Sequence, residues 1–369
     1  RNFTENHTQF FKDTTKNNIA DFSHSVPKDF GSMTISYSAL STLFQDDLQQ
    51  IIDLFQTFEA NRVVISQRLG EGEHTNPDLA AQGYTDGYGR IQQNVLIPAF
   101  LAAYQGEDPQ TVGLDVFSTN PRVNWRLTYN GLSRLPLFRD IFQNFSLSHS
   151  YESTLTVNQF NTSLDFLRTR NQGRVNELNG NFFPRLEIPE IAIQEGFSPL
   201  VSVEATLRNG MAFSANFNKQ RRLGMSFVSN QLSETQTKEI VIGFGYLIRD
   251  LQLGIFSGSG GRPQRDDEPP QTPQGGRTGG SQLQGNDLDI NFDFSLRDDV
   301  TFNHLLDQDI IEPTRGNFSL SISPSAEYQI NERLSLRMFF DYQRTVPKTS
   351  AGFPRTTSAG GFIVRFSLN

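Results

Sequence analysis

Several stretches of the chain alternate apolar and polar residues with a period of two. In "DLDINFDFSLRDD" (287–299) Leu288, Ile290, Phe292, Phe294 and Leu296 point one way, while Asp289, Asn291, Asp293, Ser295 and Arg297 point the other. Side chains change faces at every residue of an extended chain, so this is a strand with one oily and one wet face. The pattern recurs in "LVSVEATLR" (200–208), "MAFSANFN" (211–218), "LGMSFVSNQL" (223–232), "KEIVIGFGYLIRD" (238–250), "NFSLSISPSAEYQI" (317–330), "RLSLRMFFDYQ" (333–343) and "GGFIVRFSL" (360–368). Upstream it recurs in "RVNWRLTYNG" (122–131), "NFSLSHSYESTLTVNQF" (144–160), "GSMTISYSAL" (31–40) and the opening "RNFTENH". Asn209-Gly210 is a strong hairpin signal, and "KQRR" (219–222) reads as a second tight turn. The count is about twelve antiparallel strands, each near the ~9–11 residues that a tilted strand needs to cross a bilayer.

Two stretches change period. "DDLQQIIDLFQTFEANRVVISQRL" (46–69) opens on acidic residues and repeats apolar residues at three and four, and "IQQNVLIPAFLAAYQG" (91–106) is apolar with Pro98 inside and Gly106 at its end. They predict a helical insertion between strands over 42–120, packed against the rest. Residues 257–286, "SGSGGRPQRDDEPPQTPQGGRTGGSQLQGN", contain no core-forming residue and are expected to be a disordered Gly/Pro/Gln-rich insertion between paired strands. The chain opens at Arg1 within a strand-like pattern, as a processed or excised piece of something longer would.

Composition narrows the picture. The apolar share is 36%, yet Phe occurs 32 times against one Trp and 4 Met, which suits half-buried strands better than a thick closed core. A net charge of −8 argues against nucleic acid as a partner, and only six lysines occur. With no cysteine there are no disulfides or thiolate metal sites. No apolar run reaches the ~18–20 residues of a membrane-spanning helix, so a membrane core would have to be met by a closed barrel.

Candidate chemistry is sparse. His7, His24, His74, His149 and His304 are scattered without metal-ligand spacing. Gly243 and Gly245 lie in a strand and do not open a helix as a phosphate cradle requires, and Ser259 falls in the Gly-rich insertion. "GYTDGYGR" (83–90), with Asp86 between glycines and tyrosines, reads as a compact loop, and Asp46-Asp47 and Asp298-Asp299 as solvated pairs at element ends. No catalytic, cofactor-binding or metal-ligating residue is assigned, and the expected protein is not an enzyme.

What covers the oily faces decides the function. They are rich in Phe and carry Tyr129, Tyr246, Tyr328 and Tyr342 towards strand ends, as an interfacial aromatic girdle would, while Asp293, Glu327, Arg337 and Asp341 lie opposite. The last strand, with Phe362, Val364, Phe366 and Leu368, suits the closing strand of an outer-membrane barrel, although the chain ends "FSLN" without the usual final aromatic. Lipid is therefore expected there. A soluble β-sandwich adhesin with a facing second sheet and a porin-like or nutrient-uptake barrel are the alternatives.

"NRVVISQRL", "NPRVNWRLTYNGLSRLPLF", "FSLSHSYESTLTVNQF", "EGFSPLVSVEATLRNGMAFSANFNKQRRLGMSFVSNQLSE", "IVIGFGY" and the final "GGFIVRFSL" together resemble the C-terminal part of the SprA/Sov family. These are outer-membrane translocons of the type IX secretion system of Bacteroidetes, also tied to gliding motility. The resemblance runs over nearly the whole chain, 1–369, except the Gly/Pro/Gln insertion. It implies a very large single-chain antiparallel transmembrane β-barrel in the bacterial outer membrane, of which this chain supplies the C-terminal wall and a missing N-terminal portion the rest. It also implies partners: a PorV-like outer-membrane barrel, a periplasmic plug protein, and folded cargo bearing a type IX C-terminal signal domain. Conduction would be passive, with directional drive from elsewhere and no cofactor. With a periplasmic C-terminus, alternation places the turn at Asn331-Glu332 and the 257–286 insertion in the periplasm, and the loops at 303–315 and 346–358 outside.

Overall fold

The computed structural model describes residues 2–8, 11–13, 22–24, 28–71, 75–168, 175–251, 287–308, 310–331, 333–350 and 352–367. The Gly/Pro/Gln insertion at 257–286, Ser259 and His74 lie outside the described residues. Fourteen strands are present among them: β1 (Asn2–Thr8), β2 (Phe11–Asp13), β3 (Phe22–His24), β4 (Lys28–Ser36), β5 (Trp125–Tyr129), β6 (Phe142–Thr162), β7 (Leu186–Glu187), β8 (Glu190–Leu207), β9 (Met211–Ser226), β10 (Gln231–Ile248), β11 (Leu288–Leu305), β12 (Ile310–Asn331), β13 (Leu334–Pro347) and β14 (Arg355–Phe366). The helices are α1 (Leu48–Leu69), α2 (Pro77–Ala81), α3 (Gln93–Gln105), α4 (Pro136–Arg139) and α5 (Leu164–Arg168).

Twelve of the strands form one sheet in the order β1-β4-β6-β8-β9-β10-β11-β12-β13-β14, with β5 and β7 also on β6; β2 and β3 pair separately. Every pairing is antiparallel. The protein is thus mostly antiparallel sheet with a few helices, and the sheet does not close on itself.

The strands correct the sequence reading in three places. "KQRR" is not a turn. Residues 219–222 lie inside β9, and the chain reverses at 227–230 instead. The long strands β6 and β8 to β12, at 16 to 22 residues, run to about twice the expected length; β8, for example, begins ten residues before "LVSVEATLR". The outer loops are correspondingly shorter, since β11 continues to Leu305, β12 starts at Ile310 and β14 at Arg355. The main sheet's twelve strands agree with the expected count partly because the two-residue β7 replaces the strand lost at "KQRR".

The hairpin at Asn209-Gly210 forms as its residues dictate, with Gly210 at a φ of 87° and Asn209 Oδ1 accepting from the Met211 N–H at 3.1 Å. We call this the lower end of the sheet and the 227–230 turn the upper end.

β4 and β5 lie end to end along one side of β6. Ser36 opposes Thr154, and the line resumes with Trp125 opposite Tyr151. They are two halves of one strand, interrupted by 37–124, and the neck is tied by Tyr37 N–H to Ser153 O and Arg122 N–H to Ser36 O, at 3.1 and 3.0 Å. The interruption builds α1, α2 and α3. Gln50 Oε1 accepts from the Asp47 N–H at the start of α1, and Gly106 ends α3 in the left-handed conformation at a φ of 69°. The apolar faces of α1 and α3 close a core with Met33, Ile35, Leu155, Ile193, Leu223 and Leu232 of the sheet. This helical unit therefore covers the upper half of one sheet face.

Candidate functional site

No titratable cluster of the enzymatic kind forms. Among the described residues no three His, Asp or Glu side chains are placed to share a metal ion. His149 on β6 places Nδ1 2.6 Å from Leu200 O, beside Trp125 and Phe197; His304 on β11 is buried, stacked on Phe55 with ring centroids 4.5 Å apart. His7 and His24 belong to β1 and β3. Asp86 accepts from the N–H groups of Thr75 and Asn76 at 2.7 and 2.8 Å, so it staples its own loop. Gly243 and Gly245 face away from the helices, where a Cβ would meet Ser214 Oγ at 2.6 Å and Asn291 Oδ1 at 3.2 Å; they make room for polar neighbours.

Register gives the sheet two distinct faces. On one, Phe217, Ile240, Leu296 and Leu320 oppose one another across β9 to β12; below them come Ile242, Phe294 and Ile322, then Phe213, Phe244 and Phe292, then Tyr246, Ile290 and Ala326. This apolar band spans 240–248 in β10, 288–296 in β11 and 320–328 in β12, nine residues in each case. It continues through Met338 and Phe340 of β13 to Phe362 and Phe366 of β14. No second sheet faces it among the described residues, and Phe213, Ile240, Phe292, Met338, Phe340 and Phe362 are exposed. The opposite face carries Ser319, Ser321, Ser323 and Ser325, then Asp289, Asn291, Asp293 and Ser295, then Ser214, Asn216 and Asn218.

The band has a sharp upper margin. One row across eight strands reads Trp125, Tyr151, Phe197, Lys219, Lys238, Asp298, Phe318 and Val346. Lys219 and Lys238 both bind Asp46, the latter at 2.6 Å, and Lys348 reaches over Gly316 to Asp298. Burial would raise the Asp46 carboxyl, but hydrogen bonds from the two ammoniums outweigh it and hold the carboxyl below its usual range. The expectation that Asp46 and Asp298 are merely solvated is corrected by these pairs. Asp47, by contrast, sits at the N-terminus of α1. At the lower margin, Leu135, Leu137 and Ile141 are exposed beside Arg134 and Arg139 in the connection from β5 to β6.

Above that row lies a buried polar layer that locks the helical unit to the sheet. Arg221 and Glu195 are each 2% exposed. Arg221 donates to Glu195 Oε1 from Nε at 2.9 Å, to Thr42 O at 2.8 Å and to Ala39 O at 3.1 Å, while Glu195 Oε2 accepts from Tyr151 Oη at 3.0 Å. Glu234 accepts from Tyr104 Oη at 3.2 Å and from Gln236 Nε2 at 2.7 Å. Burial, and then the neighbouring Glu234, push the Tyr104 hydroxyl well above its ordinary value, so it stays a donor. With each charge spent on fixed partners, the layer is an anchor and offers no reactive group.

The sequence reading placed the aromatic and polar faces but missed this layer and the lysine row. Their signal was the alternation continuing through charged residues: Phe213, Ala215, Phe217, Lys219, Arg221, Leu223 and Met225 share one face. Of the four tyrosines expected at strand ends, Tyr246 and Tyr328 lie near the lower end, whereas Tyr129 and Tyr342 share one row high in the band, level with Ile322. The chain matches no family model, and no curated protein matches it.

Proposed function

We propose that this chain is part of the wall of an outer-membrane β-barrel whose apolar band meets lipid and whose polar face lines an aqueous lumen. The band's height carries the reading. Nine residues at a rise of ~3.3 Å give ~30 Å along the strand. At the ~40° tilt of barrel strands this is ~23 Å, close to the ~25 Å lipid-facing belt of such barrels. Trp125 and Lys238 at the upper margin, and exposed leucines between arginines at the lower, are the residue types of membrane interfaces. The outer edge of β14 pairs with no described strand, so closure calls for strands from elsewhere in the assembly.

Within that class we favour the protein-conducting translocon of the type IX secretion system, on the resemblance to the SprA/Sov family. The luminal face suits it: serine, asparagine, aspartate and glycine give passing folded cargo little apolar surface to stick to. Conduction needs no bond chemistry here, and gating falls to exchange between a PorV-like barrel and a periplasmic plug.

Trp125 provides the test, because it is the chain's single tryptophan and stands in the marginal row. In vesicles with brominated acyl chains its emission should be quenched, more strongly by bromines near the headgroups than by bromines near the bilayer centre. A chain that stays monodisperse without detergent and shows no quenching would contradict the membrane wall. Co-purification with a PorV-like barrel tests the translocon separately from a porin.

A further inference from the structure

Lysine is scarce in this chain, yet three of its six lysines stand on two adjacent rows of the apolar face. Lys219 comes from β9, Lys238 from β10, and Lys348 from beyond β13. Arg344 of β13 joins them one row lower, opposite Leu320, where an arginine can lay its aliphatic stem on apolar neighbours and carry its charge to the margin. The charges do not cancel. Asp46 is shared by two ammoniums, Lys348 is matched by Asp298, and Arg344 forms no ion pair with an acid among the described residues. Lys219, 6% exposed, is spent on Asp46 and Lys348 on Asp298, which leaves Lys238, at the rim of the Asp46 pair, and Arg344 as the exposed cations of the margin.

The underside of the helical unit adds a second observation. Phe44 and Leu48 are each 52% exposed, at the edge of that unit, and Lys219 Nζ lies 4.7 Å from the centre of the Phe44 ring. Exposed aromatic and aliphatic side chains interleaved with lysines, directly above an apolar band, match the depth at which acyl chains give way to headgroups. The helical unit lies on the same face of the sheet as the band, so its underside looks along the strands towards that band.

We infer that this row binds the phosphates of lipid headgroups in the leaflet next to the helical unit. The inference rests on the membrane-wall reading above. Lipid fits better than a protein partner because the cations follow the band's margin: Lys219 and Lys238 share one register line, Arg344 stands one same-face row below it and Lys348 one row above. A row of cations at that level attracts anionic headgroups and is weakened by salt.

The test compares the full chain in lipid nanodiscs of phosphatidylcholine alone with discs that also contain diphosphoryl lipid A, reading the thermal midpoint of Trp125 fluorescence. Lipid A should raise the midpoint by several degrees, and the rise should fall by at least half in the double variant Lys238→Gln/Arg344→Gln. Acyl-bromine quenching of Trp125 in that variant should be unchanged, which separates lost headgroup binding from lost insertion; if the double variant does not insert, Arg344→Gln alone serves. The inference is overturned if lipid A leaves the midpoint unchanged, if the variant gains as much as the wild type, or if inorganic phosphate added to neutral discs reproduces the rise. A chain that enters neither kind of disc defeats the membrane wall itself, which is a different result.

Discussion

Arg221 and Glu195 show how a buried charge can be tolerated in a sheet that is otherwise amphipathic. Each would be costly alone, but Arg221 also finds Thr42 and Ala39 carbonyls, and Glu195 the Tyr151 hydroxyl and the Ala39 N–H at 3.2 Å. Removing one partner strands the other. Arg221→Met should therefore lower unfolding free energy by about 3–5 kcal/mol, while Arg221→Met with Glu195→Leu should recover most of that loss. Denaturant titration of the chain in detergent, with Glu195→Leu completing the double-mutant cycle, checks both values; a double-variant loss equal to the sum of the two single losses would show that the pair does not act as a unit. These residues were illegible as a site because four polar residues in a row resemble a turn. Only their faces separate them, with Lys219 and Arg221 towards the helices and Gln220 and Arg222 away.

At the scale of the element, alternation revealed the lower halves of β8, β10, β11 and β12 and concealed their upper halves. In β11 the apolar series from Leu288 to Leu296 is continuous, then Asp298 interrupts it before Val300 and Phe302 resume under the helical unit. A pattern search stops at the charge, although the backbone ladder does not. The join of β4 to β5 was hidden for another reason: nothing in 31–36 or 125–129 encodes that they share a partner across the intervening helices. The two-faced strand makes a sharp prediction. Phe292 is at the middle of the band in β11, and Ser323 is on the polar face of β12. Phe292→Arg should cost about 2–4 kcal/mol of stability in vesicles, as arginine does at the bilayer midplane. Ser323→Arg should stay within about 0.5 kcal/mol of the wild type. Reversible unfolding from vesicles measures both, and a tolerant Phe292 with a sensitive Ser323 would put lipid on the wrong face.

Across the whole molecule, the alternation of strands divides the connections between two ends. The turn at 227–230, the connections after Leu305 and Pro347, and the helical core lie at the upper end; the turn at 208–210 and the connections after Ile248 and Asn331 lie at the lower. On the proposed membrane-wall reading, in which the lower turns face the periplasm, the helical unit stands on the cell-surface side. The chain contains no cysteine, so single thiols can be introduced without background. Ser229 is exposed in the upper turn and Arg333 in the lower one. Ser229→Cys should therefore react with a membrane-impermeant maleimide on intact cells, and Arg333→Cys only after the outer membrane is permeabilised. Both side chains are solvent-exposed, so a difference in labelling reports the barrier between them and not local burial. The reverse order would invert the wall in the membrane while leaving the band where it is. Equal labelling of both on intact cells would mean that no bilayer separates the two ends of the sheet, and the lipid covering of the Phe-rich face would fall with it.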